Sequence, residues 1–350
     1  MKKIIALLLA MTMLSGLAAC GSTKEEKAGE ETSQTETNAA EGSDKNAGEN
    51  VDKETITIKA MNESQEMADI KVPFNPEKIA VLDMAALDIL DSIGVGDRVV
   101  GSAAVSIEYL KDYNPDDSKG GITNLGTVKT ADLEKVAACE PDVIFIGGRL
   151  SSIYNELEQI APVVFLPTDY EKGVVESTKE NAKTIASMFG KEDEVDALME
   201  GYTSRIEKLN EVLKDKDILM CMYNANAVSL MDTESALNIL VSSLGGKNIG
   251  ETVGEQNKST HGEEASWETI IKLNPEYMFV LDRSTAIGET DEAKGAKETV
   301  ENDLIKKLDV YKNGNIVYFI KNANVWYTST GGIKALDTML TDLEEALLKN

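Results

Sequence analysis

The sequence predicts an α/β protein of two lobes that face each other across a cleft and are joined by a helical connector. Three observations predict it. Strand-like and helix-like segments alternate along most of the chain, the pattern of parallel sheets covered by helices. One stretch occurs twice: TADLEKVAACEPDVIFIGGR at 130–149 and EASWETIIKLNPEYMFVLDR at 264–283 align at a constant offset of 134 residues. Between the copies, residues 174–214 contain no proline and keep apolar residues at helical spacing.

The two copies match without a gap. Ala131 falls on Ala265, Glu134 on Glu268, Pro141 on Pro275, Phe145 on Phe279 and Arg149 on Arg283. The apolar positions between them agree as well: Leu133 with Trp267, Val136 with Ile270, Ile144 with Met278, Ile146 with Val280. Each copy reads as an amphipathic helix, a turn proline and a strand, with the arginine just past the strand's C-terminal end. That end is where open α/β sheets place their ligands.

In chain order, Lys2 and Lys3, the apolar run over 4–14 and Leu17-Ala18-Ala19-Cys20 make residues 1–19 a secretory signal peptide, too short to span a bilayer. Residues 20–54 are mostly Glu, Lys, Thr, Ser, Gly, Asn and Ala, which cannot bury enough apolar surface to offset ordering, so they read as a flexible linker. The first lobe spans 55–172. TITIKAM and MADIKVP have the alternation of half-buried strands, EKIAVLD is a buried strand, and MAALDILDSIG is a helix closed by Gly94. RVVGSA, DVIFIGG and VVFLP are further strands, with helices over ADLEKVAAC and SSIYNELEQI.

Residues 173–214 read as the connecting helix, either one long element or a pair broken near Gly190-Lys191-Glu192. The second lobe, 215–350, holds DILMCMY and AVSLM as a hairpin-like pair, a helix over SALNILVSSLGG, the second copy of the repeat, the strand NIVYFI and a final helix over 331–348. Cys139 and Cys221 lie in or beside apolar segments and read as buried free thiols.

A formal net charge of −26 and a sequence pI near 4.5 exclude the basic surface that nucleic acid requires. Against 31 lysines there are only four arginines, Arg98, Arg149, Arg205 and Arg283, and two of the four are the matched pair. A guanidinium offers oxyanions a planar fork and stacks on aromatic rings, which lysine does not. The competing account is two surface arginines paired with nearby acids such as Asp282.

His261 is the only histidine, in the polar stretch GEQNKSTHGEEASW. A solvated imidazole is the simplest account. One histidine cannot build a closed zinc site, but it can fill an open position on a metal that arrives already chelated. Glu134 and Glu268 sit in the first turns of the repeat helices, where an acid is worth about 0.3–1 kcal/mol against the helix dipole. Equivalent acids on both lobes also suit docking to a two-fold partner. Tyr327, in NANVWYTSTGG, follows the last strand and can be core, rim or ligand. No G-x-S-x-G elbow and no G-x-x-x-x-G-K-[ST] loop is present, so neither common hydrolase chemistry has its motif.

Taken together, the Leu-Ala-Ala-Cys20 lipobox, VPFNPEKIAVLDMAALDILDSIG, TADLEKVAACEPDVIFIGGR, HGEEASWETIIKLNPEYMFVLDRSTAIG and VWYTSTGG resemble the ferric-siderophore-binding lipoproteins of ABC importers, nearest the catecholate binders of the enterochelin and petrobactin type. The resemblance runs from about residue 55 to the C-terminus. It implies two Rossmann-like lobes joined by a long α-helix, a shallow cleft, and an anchor made by diacylation of Cys20 on the extracytoplasmic face of the membrane. It implies that Arg149 and Arg283 contact catecholate oxygens, and that His261 and Tyr327 complete Fe(III) coordination when the siderophore supplies four donors. Glu134 and Glu268 would engage the permease, which works with its ATPase. The expected protein is a monomer and not an enzyme, with no permanent cofactor and with Fe(III) arriving only as a siderophore complex. Relatives often carry a further arginine near the position of Ser235-Ala236, and this chain has none there. The same fold serves haem, cobalamin and hydroxamate siderophores, which are the alternative ligands.

Overall fold

A computed structural model describes residues 54–115, 121–252, 263–289 and 295–348. The expected signal peptide, residues 20–53 of the expected linker with Cys20, and His261 lie outside the described residues. The folded part opens with an antiparallel hairpin, β1 (Thr55–Met61) and β2 (Met67–Pro73), in register from Thr55 opposite Pro73 to Met61 opposite Met67.

The first lobe is built on a parallel sheet. Its strands are β3 (Ile79–Leu82), β4 (Val99–Ser102), β5 (Thr123–Asn124), β8 (Val143–Ile146) and β9 (Val163–Phe165), in the order β5-β4-β3-β8-β9. A two-residue-per-strand hairpin, β6 (Gly126–Thr127) with β7 (Thr130–Ala131), stands apart from it. The helices are α1 (Met84–Ser92), α2 (Leu133–Ala138) and α3 (Tyr154–Glu158). Strands IAVL and VIFI are buried throughout, as covering both faces of a parallel sheet requires.

The connector is not one continuous helix over 173–214. It is three: α4 (Val174–Ser187), α5 (Glu192–Leu198) and α6 (Tyr202–Leu213). Gly190 and Gly201 adopt φ of 65° and 89°, which interrupts the i to i−4 hydrogen-bond ladder at both junctions. The expected break near Gly190 is present, and Gly201 adds a second.

The second lobe has β10 (Asp217–Asn224), β11 (Ala227–Leu230), β12 (Lys247–Asn248), β13 (Glu263–Glu264), β14 (Tyr277–Asp282) and β15 (Ile316–Phe319). Their order is β13-β11-β10-β14-β15, with β12 beside β10; β10, β14 and β15 are parallel, and β11 is antiparallel to its neighbours. Its helices are α7 (Ile239–Ser242), α8 (Trp267–Leu273), α9 (Arg283–Ala286), α10 (Ala296–Val300), α11 (Asp309–Lys312), α12 (Ala323–Thr328) and α13 (Ile333–Leu347). Only four residues of SALNILVSSLGG are α-helical. The Asn238 side chain bonds Val174 N, Tyr170 O and Thr233 O, and such side-chain to backbone bonds compete with helix.

The repeat is structural. α2 and α8 both begin at the predicted offset, each capped by a side chain, Asp132 accepting from Lys135 N and Ser266 from Thr269 N. Glu140 and Asn274, one residue before the two prolines, share φ of 46°. Asp142 accepts from Glu77 N and Lys78 N while its counterpart Glu276 accepts from Asp217 N, so each acid ties its own strand to the start of the neighbouring one. β8 and β14 then hold the same place in their sheets.

Alternation along β10 and β14 divides the second lobe's core. Ile218, Met220, Met222, Phe279 and Leu281 join a cluster shared with the first lobe, whereas Leu219, Cys221, Tyr223, Met278 and Val280 form a second one on the other face. Cys221 is buried, Cys139 is half-buried, and both are free thiols.

The shared cluster includes α1, α4, α6 and α13, so the lobes are joined at the back by packed helices as well as by the chain itself. A single buried carboxylate fixes that layer. Asp88 of α1, fully buried, accepts from Lys334 N and Ala335 N at 2.9 Å each, from the Tyr109 hydroxyl at 2.7 Å and from the Ser92 hydroxyl at 3.2 Å, and so caps α13 from the other lobe. A Cβ on Gly332 would lie 2.5 Å from Asp88 Oδ2, so only glycine lets the helix start this close. Burial pushes the Asp88 carboxyl up, and its hydrogen bonds pull it back.

Candidate functional site

Two of the four arginines are spent on structure. Arg98 donates to Asn75 Oδ1 and Pro76 O and lies over the Phe189 ring. Arg205 bonds Asp337 and Glu344 and ties α6 to α13. Arg149 and Arg283 differ: among the described residues neither is ion-paired with a carboxylate. Asp282, the acid next to Arg283, is buried and caps α9 by accepting from Thr285 N at 2.9 Å, so it is not the arginine's partner.

The matched arginines start from opposite lobes. Arg149 follows β8, in a 3-10 turn over Gly148–Ile153, and Arg283 follows β14 as the first residue of α9. They converge on Tyr327, whose oxygen accepts from Arg149 Nη2 at 3.2 Å and from Arg283 Nε at 3.0 Å. The guanidinium carbons lie 5.9 and 5.5 Å from its ring centroid, within range of cation–π attraction. Asn224, at the end of β10, accepts from Arg283 Nη1 at 2.6 Å and sets its direction.

Tyr327 sits on a short helix, α12, rather than on a loop. Its neighbour Trp326 is fully buried, stacks on Phe319 at 4.0 Å and donates from Nε1 to Asp342 at 2.9 Å, which fixes the helix and leaves the tyrosine half-buried at the mouth. α12 also touches the first lobe, the Asn324 amide donating to Ser106 O.

Around this convergence lies a cavity of about 270 Å³ lined by Asp83, Lys129, Gly148, Arg149, Ile287 and Tyr327 among others. Lys129 stands in the β6–β7 turn, which Thr127 Oγ1 stabilises by accepting from Lys129 N and Thr130 N. Among the described residues no carboxylate is ion-paired with it. Asp83, the α1 cap, is the acid in the cavity lining; desolvation pushes its carboxyl up, and backbone bonds from Ala86 and Ala85 pull it back. A larger cavity, about 430 Å³, opens beside Met61, Met67 and Tyr170, but it has no arginine and its Lys172 is held by Glu180 and Asp169. The cavity at Tyr327 is thus the one of the two that is lined by an arginine.

Sequence reasoning missed Lys129, Asn224 and Asp83. Asn224 was within reach, since YNANA makes a two-residue turn with Ala225 and Asn226 at φ of 47° and 69°, a hairpin that ends β10 at Asn224. Ser235, where a further arginine was sought, is buried and donates to Asp232 O. Glu134 and Glu268 are both exposed in matched first turns. No helix of the described residues is long and apolar enough to cross a membrane.

Residues 79–323 match the periplasmic binding protein family. The chain belongs to that family. It is 33% identical over 353 residues to the petrobactin-binding protein YclQ of Bacillus subtilis, covering 100% of both chains. The crystal structure of YclQ aligns with a TM-score of 0.74 at 34% identity, over 85% of this chain and 100% of that one. The catecholate-siderophore-binding protein VctP of Vibrio cholerae aligns with a TM-score of 0.70 at 26% identity, over 83% and 100%. Family membership agrees with the two-lobed α/β fold.

Proposed function

We propose that the protein is the extracytoplasmic receptor of an ABC importer, capturing a ferric siderophore of catecholate type and handing it to the permease. One observation carries the reading: two matched arginines, neither ion-paired with an acid among the described residues, converge from opposite lobes on one point. An iron catecholate is a compact anion with oxygen at its surface, and a guanidinium is the side chain best suited to it. The relatives named for petrobactin and catecholate siderophores support the same ligand class.

In this reading Arg149 and Arg283 hold the catecholate oxygens, and Lys129 adds a third positive charge. Tyr327, with His261, donates to Fe(III) when the siderophore leaves positions open; phenolate oxygen and imidazole are both accepted ligands of iron. Fe(III) is cargo rather than a resident cofactor. Glu134 and Glu268 dock the two lobes on the permease. Cys20 bears the lipid anchor, and two or more acyl chains hold a protein stably at a membrane where one does not.

The test is quenching of Trp267 and Trp326 fluorescence on titration with ferric complexes of catechols, a ferric hydroxamate, haem and cobalamin. Saturable quenching by the catecholates at the lowest concentrations is expected. A stronger response to haem, cobalamin or the hydroxamate would reassign the ligand.

A further inference from the structure

We infer that Asn224 is the positioning residue that sets the charge preference of the cleft: its neutral amide oxygen aims the Arg283 guanidinium and leaves its positive charge uncancelled. The inference rests on the receptor function above and deepens it. Register brings the two side chains together. Tyr223 of β10 lies opposite Asp282 of β14 in the parallel ladder, so the next residue on each, Asn224 and Arg283, stand side by side where both strands reach the cleft. Asn224 Oδ1 accepts from Arg283 Nη1 at 2.6 Å, and the Tyr327 oxygen accepts from Nε at 3.0 Å. Two nitrogens of the planar fork are thereby fixed, and Nη2 is left for a ligand. Arg149, which is exposed, donates among the described residues only from Nη2 to Tyr327, so it is held less firmly.

The turn that carries Asn224 is tied to the same helix. Ala225 and Asn226 make the two-residue turn into β11 at φ of 47° and 69°, a left-handed conformation that suits asparagine and strains an alanine. The Ser284 hydroxyl, buried on α9 one residue after Arg283, accepts from Ala225 N at 3.0 Å and secures that strained residue. The end of the hairpin and the first turn of α9 are therefore joined at two successive positions, Asn224 to Arg283 and Ala225 to Ser284.

A carboxylate stands next in the chain and is turned away. Asp282 is buried and spends its oxygen on Thr285 N. An aspartate at 224 would hold the guanidinium by the same geometry, since it matches asparagine in shape, but it would also neutralise the charge that an anionic ligand needs. The amide oxygen accepts one hydrogen bond and carries no net charge. Asn224 therefore aims Arg283 at low cost to its attraction for an anion, which neither a carboxylate nor an apolar residue would do.

The experiment titrates the anionic ferric complex of a synthetic hexadentate tris-catechol into the unaltered protein, Asn224→Ala, Asn224→Asp, Arg283→Ala and the Asn224→Ala/Arg283→Ala pair, with urea unfolding of each as a check on the fold. Asn224→Ala frees the guanidinium and should weaken binding about fivefold to tenfold. Asn224→Asp keeps the shape, so it tests the charge even where alanine loosens the hairpin, and it should weaken binding at least about 30-fold with a shallower salt dependence. In the Arg283→Ala background, Asn224→Ala should change affinity by less than about twofold, because the asparagine acts through the arginine. Equal weakening by Asn224→Ala with and without Arg283 would make its role a general one in the hairpin and overturn the inference. So would an Asn224→Asp protein that binds as tightly as Asn224→Ala. Both results leave the receptor function standing, whereas failure of the unaltered protein to bind the complex would remove the function itself.

Discussion

The cleft and the back of the molecule use the same groups in opposite ways. At the back, Arg205 is met by Asp337 and Glu344, and Asp88 is met by four donors, so each charge is matched and ties one element to another. In the cleft, Arg149 and Arg283 share one tyrosine hydroxyl, and Lys129 is not ion-paired among the described residues. Matched charge there would cancel the attraction for an anion. An arginine's role here follows from what it is paired with.

The largest effect should come from the back. Asp88→Ala leaves the first turn of α13 and the Tyr109 hydroxyl without an acceptor in a buried site, which should cost about 3–5 kcal/mol of unfolding free energy in urea. Affinity of the remaining folded protein should stay within about twofold, since nothing in the cleft is touched. Lost affinity with unchanged stability would break the division between the two regions.

Arg283→Ala should do the reverse. Removing a charged donor at the centre of the site should weaken binding of an anionic ferric complex about 30-fold to 100-fold, with the unfolding midpoint nearly unchanged. Arg149→Ala should act in the same direction and by less, because its side chain is the more exposed.

Arg205→Ala should cost about 1–2 kcal/mol near neutral pH, as a partly buried network does. Arg205 holds the Glu344 carboxyl below its usual 4.5. A carboxyl depressed on folding contributes its stability above the unfolded value and loses it as pH falls through the folded one. The gap between variant and unaltered protein, read by urea titration at several pH values, should narrow as pH drops below about 4.5. A gap that stays constant to lower pH would remove Glu344 from the account. The smallest effect is expected for Lys129→Ala, about twofold to threefold weaker binding with a shallower salt dependence.

Much of this was legible in one dimension because it is local. The repeat placed α2 and α8, β8 and β14, and the two arginines at strand ends, since alternation, capping residues and a turn proline are all read from near neighbours. Gly201 is a different case: a lone glycine inside a helical pattern breaks it only when its φ turns positive, and that depends on packing.

What tertiary structure alone decided is which distant groups meet. Nothing near Tyr327 in the chain announces that its oxygen stands between guanidiniums 178 and 44 residues away, or that Asp88 caps a helix that starts some 245 residues later. Such pairings arise from how two sheets and the helices behind them pack, and that packing is chosen by the whole buried surface at once. The sequence by itself determined two like lobes and a pair of exceptional arginines. Their convergence on one phenol, with matched charges kept to the back, came from the fold, because only burial and distance decide which charges are neutralised and which are left to face a ligand.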